Sequence, residues 1–279
     1  MIRPYRPTDA HALRARINAD RPPGQPACTA QTLDEALRGN STRDTACWQE
    51  LDAPRTDVLV DHRDSVTGAV SYAIRRRDDA VVVLWMHCRE EATASGLLID
   101  HVLEQARLRT VHAFEFASAF SSLEGLPAQH RATTRRVLTA AGFTQRDLWR
   151  YLRAELPITG LKRLANYSTS PTKDQAGRHL MVQDAGTLIA EATISNPVDG
   201  IGVLRWLHVE PEARRQGLGT AVLASALDLL AGLGAREVVA FVDDDAPGDP
   251  ERDRSAANAL YDAVGFTEVD RLLSFTRRP

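Results

Sequence analysis

Apolar residues in the C-terminal half of the chain fall at helical spacing at Leu218, Val222, Leu223, Ala226, Leu227 and Leu230, and Gly232 and Gly234 close the run. This is the clearest predicted element. Ahead of it, bulky apolar residues over 203–209 predict a strand. Two shorter runs, 179–183 and 187–194, flank Asp184-Ala185-Gly186, a turn-prone spacer that predicts a hairpin. Downstream, 237–242 reads as a buried strand, 255–264 as a helix stopped by Gly265, and 272–276 as a last strand. The first half repeats this order, with strands at 57–61, 69–75 and 81–88, a helix at 96–108, a strand at 111–117, a helix at 133–141 and a strand at 148–154. A helical and loop stretch precedes it; the second half keeps only a short version over 161–175, rich in Ser, Thr and Pro. The junction is expected at 155–160, around Pro157, giving domains 1–156 and 157–279. The predicted class is α/β (α+β), each half a mixed central β-sheet flanked by helices.

The matching order reflects an internal repeat. Residues 206–220 (WLHVEPEARRQGLGT) align with 85–99 (WMHCREEATASGLLI) at an offset of 206 − 85 = 121, with six of fifteen positions identical. A second pair, 137–144 and 260–267, ends each half in Gly-Phe-Thr at an offset of 266 − 143 = 123. Duplication of one domain is the simplest account.

Composition narrows the function. The chain is 43% hydrophobic and 25% charged with net charge −3, which provides no concentrated basic face for nucleic acid. No apolar stretch resembles a signal peptide or a membrane span. Cys28, Cys47 and Cys88 have no paired spacing, so neither a disulfide frame nor a structural metal is expected, and the expected location is cytoplasmic.

The chemistry concentrates in Arg214-Arg215-Gln216-Gly217-Leu218-Gly219-Thr220, between a predicted strand and a predicted helix start. A helix start leaves backbone N–H groups unpaired at the positive end of its dipole, where an anion fits. Gly217 and Gly219 let a phosphate approach the main chain, Arg214 and Arg215 add charge-assisted hydrogen bonds, and Thr220 offers a hydroxyl. A Walker-type loop would need a Gly-Lys-Ser/Thr that is missing.

Arg-x-x-Gly-x-Gly after a strand ending Leu-x-Val, followed by Asn258-Ala259-Leu260-Tyr261-x-x-x-Gly265-Phe266, resembles the acyl-CoA-binding and closing motifs of the GCN5-related N-acetyltransferase (GNAT) superfamily, over about 180–277. The resemblance implies two tandem folds of this type, with acetyl-CoA as cosubstrate and no metal. It implies that the strand ending at Val209 splays from its neighbour, that Leu207, His208 and Val209 form the cofactor strand, and that the backbone of Leu207 and Val209 bonds the pantetheine arm. The Val209 N–H would polarise the thioester carbonyl, the 214–220 loop would hold the pyrophosphate, Asn258 would contact the cofactor, and Tyr261 would protonate the leaving thiolate.

In the ungapped alignment Thr93 and Ala94 stand for Arg214 and Arg215, Leu98 for Gly219, Arg135 for Asn258 and Leu138 for Tyr261, so the first half is expected neither to bind CoA nor to catalyse. Glu191 is the candidate general base. His87 occupies the His208 position in the duplicate, which argues that His208 serves packing. Asp243, Asp244 and Asp245 form either an acceptor-attracting loop or a solvated one. The expected function is acetyl transfer to a primary amine of a small molecule by direct attack in a ternary complex. A non-catalytic acyl-CoA sensor or partner-binding protein, and a peptide or protein N-acetyltransferase, remain alternatives, and the protein is expected to be a monomer or a homodimer.

Overall fold

The computed structural model describes residues 1–39, 45–115, 124–173, 176–243 and 254–279. Contacts divide the chain into two compact units, Met1–Trp149 together with Asp270–Pro279, and Arg150–Val269, where the sequence predicts a single cut after residue 156.

The first unit opens with β1 (Ile2–Pro4), α1 (Ala10–Ala19), α2 (Ala30–Leu37) and α3 (Thr45–Gln49). It continues with β2 (Arg55–Val60), β3 (Val66–Arg75), β4 (Ala80–Cys88), α4 (Ala92–Ala106), β5 (Val111–Ala113), β6 (Leu126–Pro127), α5 (Ala132–Ala140) and the start of β7 (Thr144–Glu155). β1 to β4 pair antiparallel in sequence order, and β4 pairs parallel with β5. Each sheet face has its own core. One contains Leu98, Ile99, Val102 and Leu138 from α4 and α5; the other packs Leu13, Ile17 and Leu33 from α1 and α2 against Leu84 and Trp85.

The second unit contains β8 (Ser168–Pro171), β9 (Gly177–Asp184), β10 (Thr187–Ser195), β11 (Ile201–Val209), α6 (Leu218–Gly232), β12 (Glu237–Asp243), α7 (Ser255–Val264) and the start of β13 (Thr267–Arg277). β8 to β11 pair antiparallel and β11 pairs parallel with β12, which makes the sheet mixed, as expected. α6 lies close on β11 because Gly202 has no side chain; a Cβ there would stand 2.5 Å from Leu230. The helix buries Val222, Leu223, Ala226, Leu227 and Leu230 almost completely. Each of the larger side chains contributes about 1.5–3 kcal/mol on burial. The predicted strand 111–117 is shorter than expected, and 116–117 lie outside the described residues.

Candidate active site

β11 is bent by one extra residue. Thr193 pairs with Trp206 but Ile194 pairs with Leu204, so Arg205 bulges from the ladder. The parallel ladder to β12 ends in the same place, at Leu204↔Ala240, although β11 runs on to Val209 and β12 to Asp243. The two strands therefore part company. The Glu210 N–H bonds the Ile189 carbonyl of β10 at 2.9 Å, so by strand alternation the N–H and C=O groups of Leu207 and Val209 face the other edge, into the parting. The Val209 carbonyl accepts from Arg214 Nε at 2.9 Å on that side.

The chain then makes one 3₁₀ turn at Pro211–Ala213 and reaches α6 through an exposed loop. Gly217 ends the loop at φ +76°, a left-handed conformation that glycine adopts without strain, whereas Arg215 holds φ +61° with a side chain. α6 has no side-chain cap, and its first helical bond runs from the Ala221 N–H to the Gly217 carbonyl. The N–H groups ahead of Ala221 are the donors that an anion would meet. A Cβ on Gly219 would find only ordinary contacts, 3.6 Å from Leu260 and 3.7 Å from Val209, so packing does not require glycine there. Those two neighbours show that the end of β11, the start of α6 and the middle of α7 converge.

α7 turns Asn258 and Tyr261, three residues apart, to its buried side. The Tyr261 ring stands edge-to-face on Phe266 at 5.3 Å, and burial pushes its phenol well above the ordinary range. Asn258 is held on both sides: its Oδ1 accepts from Arg150 Nη1 at 2.6 Å and its Nδ2 donates to the Asp243 carbonyl at 3.4 Å. Arg150 also bonds Asp262 and Glu268. The sequence reading missed this arginine because it lies 108 residues from Asn258 in no motif.

The other sheet face carries Glu191. Its carboxylate accepts from Trp206 Nε1 at 3.0 Å and lies 2.7 Å from His179 Nε2. His208, directly opposite Glu191, stacks on Trp206 at 6.1 Å and approaches Glu210 to 3.5 Å. Its proposed packing role does not follow from His87. That residue is nearly enclosed and bonds Asp20 beside α1, and desolvation lowers its pKa. His208 is a third exposed. Asp243 closes β12, while Asp244 and Asp245 lie outside the described residues.

The first unit preserves the backbone of this site and loses its loop. β4 bulges at Leu84, since Ser71 pairs with Trp85 and Tyr72 with Val83; this is the Arg205 position, as 205 − 84 = 121. Its parallel ladder stops at Val83↔Ala113. Between strand and helix, however, stand three residues, 89–91, where the second unit has eight, 210–217. Helix starts and following strands match at 218 − 92 = 237 − 111 = 126, not 121. The pairing of Thr93, Ala94 and Leu98 with Arg214, Arg215 and Gly219 is thus corrected: five residues are absent, and Leu98 is a fully buried core residue of α4. Leu138 is likewise core, while Arg135 bonds Gln145. The parting itself is occupied. Buried Arg131 donates to the carbonyl of Met86, the Leu207 counterpart (207 − 86 = 121), and pairs with Glu90. Glu90 accepts from the N–H groups of Thr133 and Thr134; burial would raise its pKa, but these bonds and Arg131 hold it low.

Among the described residues no group of His, Cys, Asp or Glu is arranged to hold a metal, and no helix is long and apolar enough to cross a membrane. The model of the acetyltransferase (GNAT) family matches residues 143–266. A mycothiol acetyltransferase of Beutenbergia cavernae is 34% identical over 84 residues, 30% of this chain and 26% of that relative's length. Two solved structures match at low identity, which shows the fold alone. A tandem GNAT protein from the clavulanic acid biosynthesis pathway has a TM-score of 0.67 at 18% identity, covering 99% of this chain and 98% of that one. A GCN5-related N-acetyltransferase from Sphaerobacter thermophilus has a TM-score of 0.60 at 16% identity, with coverages of 100% and 96%. The chain has the GNAT fold, and its residues 143–266 match the model of the acetyltransferase (GNAT) family.

Proposed function

We propose that the protein is an acetyl-CoA-dependent N-acetyltransferase that acetylates a primary amine of a small molecule by direct attack in a ternary complex, with its one site in the second unit. The observation that carries this reading is the parting of β11 from β12 beside the uncapped start of α6. It offers a strip of main chain outside the ladder to β12 and a set of helix-start N–H groups, which suit the pantetheine arm and the pyrophosphate respectively. The open space at Gly217, and a glycine at 219 that packing does not require, fit the same ligand. When bound, acetyl-CoA supplies the acyl thioester.

The protein's own groups supply the rest. The Val209 N–H is a fixed donor facing the parting, suited to a carbonyl oxygen that gains negative charge. Arg214, Arg215, Gln216, Leu218 and Thr220 complete the anion loop, and Leu207 and His208 complete the strand. Tyr261, kept protonated by burial, is the general acid. Glu191 is the general base, held by His179 and Trp206. Asn258, already bonded to Arg150, bears on the cofactor through the Asp243 end of β12. The printed name of the B. cavernae relative agrees with a small-molecule acceptor.

The test is calorimetry with acetyl-CoA, followed by CoA release across a panel of amines. Gly219→Leu is expected to abolish binding, and unchanged affinity refutes the phosphate site. Tight binding with no turnover on a broad panel would instead make the protein a CoA-binding sensor.

A further inference from the structure

The duplicate shows which features of the Glu191 face the fold requires. Trp85 and Trp206 are equivalent, both next to the bulge on the face away from α4 and α6 respectively (206 − 85 = 121). Trp85 is 4% exposed, packed under the helices at the front of its unit; Trp206 is 54% exposed. Glu191 pairs with His208 as Ala69 pairs with His87, and Ala69 is fully buried. In the second unit the tryptophan is thus open, and a carboxylate stands where the other unit has a methyl group. Packing calls for neither change.

What remains is a prepared surface. The indole N–H donates in the ring plane, so Glu191 sits at the edge of Trp206 and fixes its orientation. A carboxylate has about four acceptor positions, and Trp206 and His179 occupy two, leaving room for a further donor. A cation bound there lies beside the indole, and whatever it is attached to extends over the open ring. The His208 ring lies 6.1 Å away, within 12° of the indole plane.

Resting on the acetyltransferase reading, we propose that this face is the acceptor subsite, that Trp206 is its specificity-determining residue, and that it selects primary ammonium ions carried on an apolar or flat body. Glu191 holds the ammonium and the body covers the indole, an arrangement in which apolar contact and cation–π attraction favour the same ligand. A small hydroxylated amine satisfies only the carboxylate.

Phenethylamine and ethanolamine test this. In the full-length protein kcat/KM is expected to favour phenethylamine by about tenfold or more. Trp206→Ala should reduce that preference to near unity while acetyl-CoA affinity stays unchanged. An unaltered preference, or none in the parent protein, overturns the proposal. A second measurement needs no turnover. The indole N–H resonance of Trp206, identified by its loss in Trp206→Phe, should shift with phenethylammonium and not with phenethyl alcohol. A shift with both, or with neither, overturns the subsite. If acetyl-CoA fails to bind while the ammonium shift persists, the acetyltransferase reading falls and the ammonium subsite stands.

Discussion

Tyr261 is placed by packing and suited to chemistry by the same burial. Its ring is 7% exposed against Phe266, and desolvation raises the phenol pKa, so the hydroxyl keeps its proton across the physiological range. Tyr261→Phe is expected to leave acetyl-CoA affinity nearly intact and to lower kcat about 10²-fold; an unchanged kcat removes the residue from its role. The same shift has a stability consequence. With the folded pKa above the unfolded value, the stabilisation is complete below about pH 10 and declines as pH rises beyond it. Denaturation of Tyr261→Phe at rising alkaline pH should therefore show a shallower loss than the parent. At this scale the motifs were legible: Gly217, Gly219, Asn258 and Tyr261 lie around the convergence of β11, α6 and α7. The exposure of His208 was not, because it depends on which distant segment packs over the strand.

The elements came out near their predicted places because periodicity and stop signals are local. The loop between β11 and α6 did not yield to the same treatment. The ungapped repeat matched Gly96-Leu97 to Gly217-Leu218, yet Gly96 lies inside α4 while Gly217 ends a loop at φ +76°. Loop length is set by where a helix docks on the sheet, and short identities do not report docking. Deleting 212–216 would give the second unit a three-residue connection like 89–91 of the first. The expected result is retained far-UV circular dichroism, since α6 is anchored by its buried leucines and Val222, with loss of acetyl-CoA binding by calorimetry. Retained affinity would refute the loop's assignment.

At the scale of the whole molecule, the chain's last residues belong to its first unit. Phe275 pairs with Ala113 and stands edge-to-face on Phe114, and Leu272 and Leu273 pair with β6. Buried Asp270 accepts from the N–H groups of Gln129 and His130. Truncation after Val269 removes these side chains, each large apolar one worth about 1.5–3 kcal/mol. A domain has only about 5–15 kcal/mol in total. Calorimetric unfolding should lose the transition of the first unit; two unchanged transitions would show that the strand is dispensable there.

By itself, the sequence determined the alternation of strands and helices and the glycine-bearing stretch ahead of α6, because each rests on residues near one another and on side-chain period. Tertiary structure alone decided four further points: where the ladder to β12 breaks, that Arg131 fills the equivalent parting, that Arg150 grips Asn258, and that Trp206 is open while Trp85 is covered. Each depends on which distant segment packs against a given strand. A run of residues specifies its own pairing edge and apolar face, but what meets that edge and covers that face is settled only when the whole chain has folded.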